Sequence, residues 1–295
     1  MTDRPYAAHE WLVAPARPGK ALWRLLAGLV MVAVITFGLN AVVQAALLSA
    51  GPIGWAADLA TGHRPGPMLI LLASFGFVIV GVFAAAHQVQ RRAPLGLIGP
   101  PGRAALQFWR VLRLLLLFGL VLVALPPYHM GAPLLPNLPF GRWLMLLPLA
   151  LIAILIQVSA EEILFRGYLQ QALAARFRHP VVWLILPSAL FALGHFVPAE
   201  AGPNAGMIAL WAGCFGVLMA DLTARAGTLG PAVAVHFFNN VVALLIFSVP
   251  ESLNGLALFI LPFSSADTGL MRAWLAVDFA LMLLTWLVAR IAIRR

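Results

Sequence analysis

The chain has 295 residues, of which 62% are hydrophobic and only 10% charged, and its mean hydropathy is +0.96. That composition excludes an ordinary soluble domain, and the net charge of +9 does not point to nucleic acid, because the basic residues fall between apolar runs instead of on one face. Cys214 is the single cysteine and lies in an apolar run, which excludes a disulfide framework and a thiolate metal site.

Residues 1–20 are polar and Pro-containing and read as a short cytoplasmic tail. The run 21–48 follows a basic segment, is too long for the core of a signal peptide, and is expected to be a retained anchor. Further apolar runs of bilayer-spanning length follow at 68–90, 108–126, 143–175, 181–197, 206–224, 228–249 and 272–293. The expected fold is therefore all-α, a polytopic transmembrane helix bundle of about eight spans. The Pro/Gly-rich stretches 49–67, 94–102 and 126–141 are connectors. Residues 254–263 are apolar but too short to cross, and are expected to be re-entrant or interfacial. By this reading 1–20 is a tail, 21–142 holds the N-terminal helices, 143–249 the helical core with the intramembrane polar residues, and 250–295 a short interfacial segment with the last helix.

Basic residues set the expected orientation. One group of loops holds most of the 19 Lys and Arg, from Arg4, Arg17, Lys20 and Arg24 through Arg91, Arg92, Arg103, Arg176, Arg178 and Arg225 to Arg290, Arg294 and Arg295. The positive-inside rule puts these loops, and both termini, in the cytoplasm, and eight spans return the chain to that side.

Polar residues inside the apolar runs carry the functional signal. Glu161 and Glu162 are followed by Arg166, and an ionised group in a bilayer costs at least about 2.5–3.5 kcal/mol. Glu162 and Arg166 are four apart and share a helical face, so they are expected to form an ion pair, while Glu161 points about 100° away, toward the face of Gln157 and Phe165. Phe191 to His195 form a second cluster, and His236 with Asn240, again four apart, a third. Asp221 with Arg225 reads as an interfacial pair at a helix end. Asp278 has no motif around it.

Depths agree between the three helices. Glu161 is 15 residues from Arg176, His195 is 17 from Arg178 and His236 is 11 from Arg225, or roughly 22, 25 and 16 Å at 1.5 Å per residue. An acid, a histidine and a histidine–asparagine pair thus reach overlapping depths, and the basic loops suggest a site that opens toward the cytoplasm. A carboxylate in a low-dielectric pocket suits a general base, and imidazole and amide N–H groups suit the oxygen of a tetrahedral intermediate.

Glu-Glu-x-x-x-Arg, then Phe-x-x-x-His, then His-x-x-x-Asn, in that order over about residues 143–245, resembles the CPBP family, the type II CAAX prenyl endopeptidases and bacteriocin-processing (Abi) proteins. The segment Arg225 to Leu229 before His236 is similar to the family's as well. The resemblance implies an intramembrane glutamate-type endopeptidase of eight helices in a bacterial plasma (inner) membrane. In such an enzyme Glu161 with His195 would activate water, His236 and Asn240 would stabilise the oxyanion, and Glu162 and Arg166 would give structural support. The substrate would be a prenylated, leader-type or membrane-protein peptide, with no cofactor and no nucleic acid. Three alternatives stand beside it. A zinc protease could use Glu161, His195 and His236 as ligands, although no His-Glu-x-x-His helix is present. A non-catalytic scaffold or immunity protein could keep the fold, and a proton-coupled transporter could use the same residue types.

Overall fold

The computed structural model describes residues 5–124 and 133–294. Arg4, Arg295 and part of the connector expected over 126–141 lie outside the described residues. The expected spans appear as eight apolar helices, α1 Leu22–Ala50, α2 Pro65–Val89, α3 Pro101–Ala124, α4 Phe140–Arg176, α5 Pro180–Gly194, α6 Ala205–Ala226, α7 Gly230–Ile246 and α8 Leu270–Ile293. Among the described residues six segments are long and apolar enough to cross a bilayer; α5 and α7 are shorter. The protein is an integral membrane helix bundle.

Proline and glycine set the helix ends. Pro65 and Pro180 each stand at the first position of a helix, where a missing N–H costs nothing, and each follows a residue in extended conformation. α6 stops at Gly227, whose φ of 69° only glycine adopts without strain.

Lipid offers no hydrophobic force between helices, so close approach depends on small residues. A Cβ on Gly216 of α6 would lie 2.9 Å from the Ser188 Cβ of α5, and one on Gly213 would lie 3.3 Å from that of Ala192. A Cβ on Gly230, at the start of α7, would meet the Ala104 carbonyl of α3 at 2.2 Å. These seams place α5 and α7 around α6 and α3, and α4 runs between them and α2.

The basic loops share one end of the bundle, and there the structure differs from a simple tail. Residues 7–19 form short helical turns packed onto the bundle, with Leu12, Val13 and Ala16 buried. The Tyr6 hydroxyl donates to Asp221 at 2.8 Å, the Tyr6 ring meets Trp183 edge-on, and the Arg225 guanidinium lies over Tyr6. Asp221 pairs with Arg225 as expected and also accepts from the Trp286 indole. His9 is buried against Trp183, and burial lowers its pKa to about 4.

At the opposite end β1 Leu135–Pro136, β2 Phe247–Ser248 and β3 Phe259–Ile260 form a small sheet in the order β1-β3-β2. β1 is antiparallel to β3 and β2 parallel to it. The segment 254–263 therefore stays at this end, with Leu256, Ala257, Leu261 and Phe263 buried beneath the loops.

One close approach carries a test. A Cβ on Gly28 of α1 would lie 1.7 Å from the Tyr168 hydroxyl of α4, so α1 seats on α4 only through glycine. Gly28→Ala should cost about 1–3 kcal/mol of stability by overpacking, read as a lower thermal midpoint in detergent. Adding Tyr168→Phe, which removes the clashing oxygen, should restore part of the loss.

Candidate active site

Three helices supply the candidate residues. α4 carries Gln157, Glu161, Glu162 and Arg166, His195 caps the end of α5, and α7 carries His236 and Asn240. Just past the acids, Ile163–Leu169 of α4 is π-helix, a local widening common at functional sites. Arg92, from the loop after α2, donates to the Gly167 carbonyl in that turn at 3.0 Å and to Gln171 at 3.0 Å.

The Glu162–Arg166 ion pair forms as expected, at 2.9 Å, with 0% and 1% of the two side chains exposed. Arg166 also donates to the Gly216 carbonyl of α6 at 3.2 Å and lies over the Phe191 ring. His236 stands between the two acids. Its Nδ1 is 2.8 Å from Glu162 Oε1, and its Nε2 is 3.4 Å from Glu161 Oε2. The Phe215 ring packs edge-on against His236, and Phe191 touches both histidines.

His195 Nδ1 is 2.9 Å from the Phe191 carbonyl. A carbonyl only accepts, so Nδ1 carries the proton and Nε2 of the neutral ring is left as an acceptor. Asn240 donates to Gln157 Oε1 at 2.8 Å and receives from Asn239 at 3.3 Å. Gln157 lies one turn before Glu161, and Asn240 one turn beyond His236. α4 and α7 are thus joined by two polar rungs, one through each residue of the His236/Asn240 pair.

Glu161 and His195 line one cavity of about 250 Å³, with Leu164 and Phe165 of α4, Phe191 and Gly194 of α5, and Phe75 and Val78 of α2. His195 sits at the end of α5 away from Arg176 and Arg178, and its neighbours Leu193 and Phe196 are exposed on the apolar flank. The cavity therefore lies along the side of the bundle at the depth of Phe191, not at the basic end from which access was expected.

The structure brings Glu161 and His195 to one cavity and sets His236 beside the two acids, but neither His236 nor Asn240 is among the cavity-lining residues, and Asn240 reaches Gln157. Phe75 and Val78 were invisible as site residues, because nothing in the apolar run of α2 marks them. Gln157 was seen only as a neighbour of Glu161 on a helical face. Among the described residues no group of three or more His, Cys, Asp or Glu side chains is placed to hold a metal ion. Both nitrogens of His236, moreover, face carboxylates.

Part of the chain is similar to known proteins. Residues 142–242, which hold all six candidate residues, match the family model described as type II CAAX prenyl endopeptidase Rce1-like. "Uncharacterized protein YyaK" of Bacillus subtilis (strain 168) is 27% identical over 256 residues, covering 82% of this chain and 84% of that protein. No solved structure matches. The segment 142–242, with its acids on α4, its histidine at the end of α5 and its histidine on α7, is thus similar to the Rce1-like type II CAAX prenyl endopeptidases.

Proposed function

We propose that this protein is an intramembrane endopeptidase that hydrolyses a peptide bond of a membrane-associated substrate with water activated by Glu161. The observation that carries the reading is the placement of Glu161, which lines a cavity together with His195 and has Nε2 of His236 3.4 Å from its carboxylate. Water in that cavity gives a proton to Glu161 while the free Nε2 of His195 accepts its other hydrogen. The water oxygen forms a bond to the substrate carbonyl carbon, and the carbonyl oxygen takes the negative charge. The Nε2 side of His236, when doubly protonated, and the second amide N–H of Asn240 are the donors for that oxygen. The carbon–nitrogen bond then breaks, and Glu161 returns its proton to the leaving amine. Glu162 and Arg166 act at one remove, because they fix His236 in its place.

The two acids should fail differently. Glu161→Gln keeps the shape and removes the proton acceptor, so turnover should be lost while the thermal midpoint in detergent barely moves. Glu162→Gln leaves Arg166 as an unpaired buried charge and should cost about 3–5 kcal/mol, seen as poor accumulation or a lowered midpoint. Combining Glu162→Gln with Arg166→Met should recover part of that loss. A stable, inactive Glu162→Gln beside an active Glu161→Gln would invert the roles.

The reaction runs without metal in this reading. Purified protein treated with a strong chelator should keep its activity, and metal analysis should find well under one zinc per chain. Activity lost on chelation and restored by zinc would favour the metalloprotease alternative.

Orientation follows the basic end. Both termini face the cytoplasm of a bacterial plasma membrane, and the end with the small sheet faces outward. Ile53, 97% exposed in the loop after α1, should label from outside the cell as Ile53→Cys, and Arg178→Cys only after permeabilisation. External labelling of Arg178→Cys would reverse the topology.

A further inference from the structure

One wall of the cavity comes from outside the family-matched segment. Phe75 and Val78 belong to α2, whereas the match begins at residue 142. α2 is interrupted at this point. It ends at Ser74 and resumes at Gly76, with the Phe75 N–H turned back to the Leu72 carbonyl at 3.3 Å and the Val78 N–H bonded to the Phe75 carbonyl at 2.9 Å. The break lies against the stretch of α4 that carries the acids, since a Cβ on Gly76 would meet Ile156 at 3.6 Å. The rest of the lining is Leu164, Phe165, Phe191 and Gly194, so apart from Glu161 and His195 the cavity is walled by apolar residues.

Size and position limit what enters. At about 250 Å³ the cavity is below the roughly 300–1,000 Å³ of sites that hold drug-sized ligands. It accommodates a peptide bond with one aliphatic side chain and not a long hydrocarbon chain as well. Its edge at exposed Gly194, beside Leu193 (67% exposed), adjoins the face the bundle presents to lipid.

We infer that Phe75 and Val78 determine specificity, and that the substrate is an unprenylated segment in the lipid phase, cut beside a side chain of about the size of Val or Leu packed against these two residues. The inference rests on the hydrolytic reading above and assigns that site its substrate class. An apolar pocket separates side chains that differ by one methylene by roughly 10–200-fold, so changing this wall should shift the choice of side chain measurably.

The test uses the full chain in phospholipid vesicles with Lys-flanked model transmembrane peptides whose cores are Ala, Val, Leu or Phe, together with a farnesylated Cys peptide. Products are read by mass spectrometry, with Glu161→Gln as the blank. Wild type should cut the Val and Leu cores at least about tenfold faster than the others and leave the farnesylated peptide intact. Phe75→Ala should shift the preference toward the Phe core, and Phe75→Trp and Val78→Trp toward the Ala core. Thermal midpoints show that each variant is folded, and the three changes act at two positions, so loss of one leaves the comparison standing. Identical preferences in wild type and all folded variants, or preferred cutting of the farnesylated peptide, would overturn the inference and leave the hydrolytic reading intact. If no probe, farnesylated or not, is cut in a Glu161-dependent way, the hydrolytic reading itself fails and this inference with it.

Discussion

Arg166 is the constraint on which the rest of the structure depends. A guanidinium cannot shed its charge, and this one is shut away from solvent within a bundle that lies in hydrocarbon. Its charge is met from three helices. α4 supplies Glu162, α6 the bare carbonyl of Gly216, and α7 the His236 that shares Glu162. None of these contacts can be dropped without stranding a charge or a lone pair where water does not reach. The relative position of α4, α6 and α7 is therefore fixed by one side chain, and Glu161, next to Glu162 but turned to another face, inherits a fixed position beside the cavity.

The same residue explains why glycine lies where it does. Gly216 offers its carbonyl to Arg166 and, having no side chain, also lets Ser188 of α5 come into contact from the other side. α5 is short, and its seam with α6 is what holds His195 at its end near the acids of α4. Charge neutralisation and close packing meet at one residue, and the distance between an acid on one helix and a histidine on another follows from both.

Much of this was legible in the sequence. Apolar runs bounded by Pro and Gly located the eight helices, and intervals of four located Glu162 with Arg166 and put His236 and Asn240 on one face toward α4. Overlapping depths suggested that Glu161, His195 and His236 meet. What was hidden depends on contacts between distant segments. A helical period does not reveal that one histidine is shared by two adjacent acids, nor that Asn240 is held by Gln157. The π-turn after Glu162 has no marker, and the Arg92 that bonds its Gly167 carbonyl lies far upstream. The wall from α2 is apolar residues in an apolar run. The first twenty residues read as a tail because their polar composition gave no sign of Tyr6 and His9 packing on Trp183.

The docked N-terminal turns bear on how the molecule is made. Tyr6 bonds to Asp221, 215 positions later in the chain. Tyr6 thus lacks its Asp221 partner until α6, the sixth of these helices, has been made. The bond from Tyr6 across α5 to Asp221 of α6 therefore closes as a late step of assembly. That closure joins the turns before α1 to a helix that follows five others, so the clasp reports on an assembled bundle in a way no neighbouring pair of helices can.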